Sequence, residues 1–203
     1  MSRDKFKFKK LLNEYRSESY ELQYVDEVLK DAYQEFDEYY KRFCNKKKIN
    51  LDALNKKHSE RVDKLFSNNT AIKKAVDNKM RQDEFDTKHI FKQIARKFHP
   101  DKIREDDPKY QEHKSIFQRA ANAITEAKWG ELLNIVDEYN LDLKDYTSAC
   151  SALRISIKKI KEEIRKKKDT YAWLLQECER DEEKDQLMKR YLNHVYIDYT
   201  DPT

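Results

Sequence analysis

The sequence predicts an all-α protein in which a long coiled-coil-like helix at each end flanks a central helical segment. Three observations predict this. Gly occurs once and Pro three times in 203 residues, which leaves little material for turns or sheet corners. Charged residues make up 40% and hydrophobic ones 38%, a balance that suits long helices with one buried stripe and broad solvated faces. Apolar residues recur at heptad-like spacing through both ends of the chain.

The first arm spans residues 1–46. A 3-4 template picks out Phe8, Leu11, Tyr15, Glu18, Leu22, Val25, Leu29, Ala32, Phe36, Tyr39 and Phe43, and only Glu18 is neither apolar nor aromatic. Such a helix would be roughly 65 Å long. The aromatics Tyr15, Tyr20, Tyr24, Tyr33, Phe36, Tyr39, Tyr40 and Phe43 read as half-buried core before they read as a client groove. A connector follows over 47–86. Asn50 is placed to cap a helix over 51–66, and Thr70 a shorter one to about Arg81. The central segment, 87–146, opens with a helix over 88–98 capped by Asp86 or Thr87. His99 precedes Pro100, which pushes it out of the α region and stops the helix. A charged loop, 102–109, leads to a helix over 110–128. Trp129-Gly130 reads as a corner, 131–139 as a short helix and 140–146 as a link. The last arm, 147–203, carries a seam of Leu153, Ile157, Ile160, Ile164, Lys167, Tyr171, Leu174, Cys178, Asp181, Asp185, Met188 and Leu192. Asp181 and Asp185 mark a polar interruption.

Each arm has one apolar stripe too long for the central segment to cover. The simplest closure pairs the arms antiparallel as a stalk, with the central segment at the far end. A coiled-coil homodimer through the first arm is the alternative to a monomer.

The net charge of +4, from 43 basic and 39 acidic residues, does not by itself imply nucleic acid. Cys44, Cys150 and Cys178 form no disulfide framework and fit a reducing cytoplasm. No apolar run approaches the ~20 residues that span a bilayer, so no membrane partner is expected.

His99-Pro100-Asp101 is the most informative motif. Before it, Phe91, Ile94, Ala95 and Phe98 fall on one helical face; after it, Phe117, Ala120, Ala121 and Ile124 repeat that spacing. Two such helices can pack antiparallel, with small alanines letting the backbones approach. The other face of the first helix carries Lys88, Lys92 and Arg96, with Lys97 beside them, a stripe suited to an acidic surface. Pro100 fixes φ and removes a donor. Asp101 offers a carboxylate for an arginine, and His99 a ring that bonds through either nitrogen.

The stretch IFKQIARKF, Ile90 to Phe98, followed by HPDK, His99 to Lys102, resembles the second helix and signature loop of J domains. Through these modules Hsp40-type co-chaperones engage Hsp70. The resemblance covers residues 87–128, about a fifth of the chain, and residues 129–141 look like the extension of some atypical J proteins. It implies that His99, Pro100 and Asp101 form the functional tip, with Lys92, Arg96, Lys97 and Lys102 as its electrostatic footprint. It also implies an Hsp70 (DnaK-type) partner whose ATP hydrolysis is stimulated, a client held by the arms, and neither catalysis nor a cofactor in this chain. The opening Tyr-x-x-Leu-Gly of the first J helix is missing; residues 61–66 or 71–80 are its candidate replacements. The Gly/Phe-rich segment and the zinc module of the larger family classes are missing as well.

Other readings compete. A coiled-coil scaffold could carry a degenerate J domain. A nucleic-acid-associated helical protein could use the run from Arg154 to Lys168, but its isoleucines keep helical period and its lysines read as a solvated face. A metal or catalytic centre at His99 and Asp101 finds no completing ligand, since neither His89 nor His113 gives a ligand-type spacing.

Overall fold

The computed structural model describes residues 3–67, 87–102, 104–196 and 199. Among them are eight α-helices and no strand: α1 (Arg3–Lys46), α2 (Leu51–Ser67), α3 (Thr87–Phe98), α4 (Tyr110–Thr125), α5 (Trp129–Glu138), α6 (Tyr146–Lys168), α7 (Tyr171–Gln176) and α8 (Asp181–Val195). The all-α expectation holds.

The heptad stripe explains α1. Phe8, Val25, Leu29, Ala32, Tyr39 and Phe43 are all buried, as are Leu12 and Cys44 one position off the template. Three of the eight aromatics expected in the core stand in water instead: Tyr20, Tyr24 and Tyr33 are exposed. They lie off the stripe, so the helical period carries them outward whatever their hydrophobicity. Asn50 caps α2 as expected, its side-chain oxygen accepting the Ala53 N–H at 3.0 Å.

The last arm is not one helix but three. Thr170 ends the first and starts the second: its hydroxyl donates to the Lys167 carbonyl at 2.7 Å and accepts the Trp173 N–H at 3.4 Å. The second break follows Gln176, and there the Glu183 carboxylate accepts the N–H groups of Glu179 and Arg180 at 3.2 and 3.3 Å. Side chains that bond their own backbone this way compete with helix continuation. Trp129-Gly130 is not a corner either; it opens α5.

Two compact units form, one from residues 1–22 and 82–163, the other from 23–81 and 164–203. Their limits fall within both arms, so they do not follow the linear division at 46, 86 and 146. In the first unit, Phe8 and Leu12 share a core with Ile90, Ile94, Phe98, Ile116, Ala120, four residues of α5 and the start of α6. In the second, Tyr39, Phe43 and Cys44 pack with Leu175, Leu187, Met188 and Leu192. Phe8 and Leu192 thus belong to different cores.

The antiparallel stalk is corrected. In the first unit Phe8 meets Tyr146 at 5.6 Å, and Glu14 accepts from Lys161 at 2.8 Å. In the second, Asp26 pairs with Lys167 and Glu35 accepts from Gln176 at 2.6 Å. Residue numbers rise together on both sides, so α6 and α7 run parallel to α1 within each unit, whereas α8 turns back along it, with Tyr191 on Phe36 at 4.9 Å and Asp185 on Lys46 at 3.3 Å. The cause is visible in the first unit. Arg16 donates to Asn134 and Asp137 of α5 at 2.7 and 3.1 Å, and Lys9 also pairs with Asp137. The central helices therefore sit on the first turns of α1, and α6 begins beside Phe8. An antiparallel partner would have to begin beside the other end of α1. The first third of α1 is part of the core of the central segment.

Gly130, the chain's single glycine, is required by close approach. A Cβ there would lie 2.2–2.7 Å from the Tyr15 ring, and its N–H donates to the Ser156 hydroxyl at 3.1 Å. Bare backbone lets α5 touch α1 and α6 at once.

Candidate functional site

α3 and α4 form the expected hairpin, with a shifted deep face. Ile90, Ile94 and Phe98 of α3 and Ile116, Ala120 and Ala123 of α4 are buried, while Phe91, Ala95, Phe117, Ala121 and Ile124 are only partly covered. The Phe91 and Phe117 rings still meet, at 5.6 Å. The shift arises because the hairpin also packs on α5, whose Leu132, Leu133, Ile135 and Val136 are buried in the same cluster. The sequence pattern marks where the two helices face each other; a third helix beside them draws the deepest residues to one side.

His99 ends α3, its N–H donating to the Ala95 carbonyl at 3.2 Å. Pro100–Lys102 then form one 3₁₀ turn, closed by the Lys102 N–H on the His99 carbonyl at 3.0 Å. The His99 ring is fixed twice. It lies edge-on to Phe117 with centroids 4.9 Å apart, and its Nδ1 accepts the Asp101 N–H at 3.3 Å. The neutral ring with that acceptor carries its proton on Nε2. The Asp101 carboxylate stands 3.6 Å from Nδ1 and is 85% exposed. The turn thus anchors the imidazole and frees the carboxylate.

The four cations of the expected footprint divide. Lys92 and Arg96, with Lys88 a turn earlier, are exposed, and no carboxylate among the described residues pairs with them. Lys97 donates to the Tyr139 carbonyl at 3.1 Å and lies 5.4 Å over the Phe98 ring. Lys102 donates to the Arg96 carbonyl at 3.1 Å. Both satisfy carbonyls at helix C-termini, where cations also meet the negative end of the dipole. They hold the tip in place, and the open charge belongs to Lys88, Lys92 and Arg96.

Sequence reasoning missed three residues that shape this site. Gln93 clasps the backbone of Asp142 with both ends of its amide, donating to the carbonyl at 2.8 Å and accepting the N–H at 2.9 Å. Nothing in a hydrophobic pattern reveals a polar residue with that role. Tyr139 and His113 pack their rings on Phe98 at 4.9 and 5.0 Å. Of the candidate first J helices, residues 71–80 lie outside the described residues, as do the side chains of residues 61–66. What covers the hairpin among the described residues includes Phe8, Leu11, Leu12 and Tyr15 of α1.

The basic run of α6 is largely engaged. Lys161 pairs with Glu14 and Glu18 at 2.8 and 3.3 Å, Lys167 with Asp26, and Arg165 with Asp169 at 2.9 Å. Cys44 and Cys150 are buried and Cys178 is half-buried, and burial pushes all three thiols up. Among the described residues no three His, Cys, Asp or Glu side chains converge as a metal site. No helix there is long and apolar enough to cross a membrane. No family model, no curated protein and no solved structure matches this chain.

Proposed function

We propose that this chain is a J-domain co-chaperone that binds an Hsp70-type chaperone in the cytoplasm and stimulates its ATP hydrolysis. One observation carries the reading: His99, Pro100 and Asp101 form a fixed turn at the tip of a two-helix hairpin, with the Asp101 carboxylate free and unpaired cations along α3. A carboxylate held on a rigid turn is suited to a charge-assisted bond with an arginine of the partner. The cations steer the hairpin toward an acidic surface. The chain performs no chemistry of its own; a client or assembly is held elsewhere on the helical arms.

The test is single-turnover ATP hydrolysis by a cytosolic Hsp70 with the full chain. Stimulation that is lost in His99→Gln and in Asp101→Asn, with the melting temperature unchanged, supports the reading. Absence of stimulation by the unaltered chain across several Hsp70 chaperones overturns it.

A further inference from the structure

A second cationic face is built by two helices. Arg3, Lys7 and Lys10 follow at i, i+4 and i+7 along α1, and Arg154 and Lys158 at i and i+4 along α6, so each set occupies one flank of its helix. The helices run side by side here, since Phe8 meets Tyr146 and Glu14 accepts from Lys161. Glu14 lies four residues beyond Lys10 and Lys161 three beyond Lys158, so that ion pair marks the common flank and ends the cationic stretch. Under it lies Cys150, 2% exposed. Burial raises the Cys150 thiol, and Arg154 and Lys7 both draw it back, so that cations from the two helices act on one sulfur.

All five cations are exposed, and none pairs with a carboxylate among the described residues. The carboxylates felt by that thiol, Asp4 and Asp145, have partners of their own; Asp145 accepts the N–H groups of Thr147 and Ser148 at 2.8 and 3.1 Å. Beside the cations stands Phe6, 62% exposed, three residues after Arg3 and four before Lys10. A lone exposed ring needs no explanation. Next to two rows of unpaired cations it supplies a face on which a base can stack.

We propose that this face binds single-stranded nucleic acid without sequence preference, with Lys7, Lys10, Arg154 and Lys158 on phosphates and Phe6 stacked on a base. Two cationic rows suit a flexible polyanion, and an aromatic face accepts any base. An acidic helical peptide fits less well. It needs a groove for apolar anchors, whereas the apolar side chains beside these rows, Phe8 and Cys150 among them, are buried in the core. The proposal does not depend on the co-chaperone reading.

Fluorescence anisotropy with labelled oligo(dT) and oligo(rU) of about 15 nucleotides, on the full chain, tests it. Each phosphate contact lowers log K by about 0.7 per decade of salt, so four contacts give a slope near −3. Lys7→Glu with Arg154→Glu should weaken binding at least about tenfold and reduce the slope by about 1.4. Phe6→Ala should weaken it about tenfold with the slope unchanged. Lys92→Glu with Arg96→Glu on α3 should leave binding intact, which separates this face from the proposed Hsp70 site. Lys7→Ala with Arg154→Ala is the milder variant where charge reversal disturbs folding, and it should reduce the slope as much. No saturable binding at about 50 mM salt overturns the proposal, as does affinity indifferent to both the charge variants and Phe6→Ala. Polyglutamate displacing the oligonucleotide at equal charge concentration, with Phe6→Ala silent, also overturns it and assigns the face to an acidic protein.

Discussion

α3 and α6 are equally basic, and the fold pairs cations in the C-terminal part of α6 while it leaves the stripe of α3 open. Lys and Arg make up four of the twelve residues of α3 and eight of the twenty-three of α6. On α6, carboxylates of α1 reach Lys161 and Lys167, and Asp169 reaches Arg165. On α3, Lys88, Lys92 and Arg96 meet no such carboxylate among the described residues. The difference lies in the neighbours. α6 runs parallel to α1, whose Glu14, Glu18 and Asp26 recur at its edge, whereas α3 turns its cations outward from a hairpin whose deep face is apolar. A run of lysines in a sequence says nothing about which outcome follows, because the carboxylates of α1 that reach Lys161 and Lys167 are more than a hundred positions away.

The largest expected effect lies at the end of α3. Asp101→Asn should reduce Hsp70 stimulation by at least about tenfold, roughly 1.4 kcal/mol at the transition state. Stability should hardly change, because the carboxylate is 85% exposed and its loss leaves the turn's backbone bonds intact. An asparagine variant that stimulates fully would remove the functional distinction between the two basic helices.

The packed side of α6 should show the reverse, an effect on stability. Gly130→Ala forces a methyl group to within 2.2–2.7 Å of the Tyr15 ring at the junction of α1, α5 and α6. Overpacking of this kind costs about 1–3 kcal/mol. Urea unfolding should show a lower midpoint with an unchanged slope. An unaltered midpoint would mean that the Tyr15 ring swings clear and the junction is looser than its geometry.

Much of this comparison was legible in the sequence, and the rest was not for physical reasons. The stripe Phe8, Val25, Leu29, Ala32, Tyr39 and Phe43 is periodic, so burial could be read directly. The stop at His99 follows from Pro100, and the start at Leu51 from the Asn50 cap. The parallel run of α6 along α1 could not be read, because periodicity marks a face without saying which way its partner runs. Asp185 looked like a flaw in the last seam, yet it accepts the Tyr39 hydroxyl at 2.7 Å and pairs with Lys46 at 3.3 Å. A polar residue on a seam is an interruption only until its partner is known. At the tip, sequence reasoning grouped Lys97 and Lys102 with Lys92 and Arg96; only the backbone carbonyls of Tyr139 and Arg96 separate the holding cations from the open ones.

Charge reversal sharpens the contrast at smaller amplitude. Lys92→Glu with Arg96→Glu should slow association with Hsp70, and added salt should mimic the change, while the melting temperature stays put. Lys161→Glu should do the opposite, lowering stability slightly, since its pairs with Glu14 and Glu18 are solvent-accessible. Stopped-flow binding and thermal melts on the same samples would separate the two. Equal effects of both variants on association would show that charge on either helix acts only through the net field.

The smallest expected effect concerns how the two helices begin. α6 starts behind Asp145, whose carboxylate accepts the Ser148 hydroxyl at 2.5 Å and the N–H groups of Ser148 and Thr147. The Ser148 hydroxyl first, and then those backbone N–H groups, hold the Asp145 carboxyl below the ordinary aspartate range. α3 has no acid in its first turn. A depressed pKa in the folded state means that the cap contributes fully above the unfolded aspartate value of about 4 and is lost as pH falls through the lower folded value. The amide resonances of Thr147 and Ser148 should therefore titrate with a midpoint below that of free aspartate. Asp145→Asn should abolish the titration at Thr147 and Ser148. A midpoint at or above the ordinary aspartate value would show that the carboxylate does not cap α6.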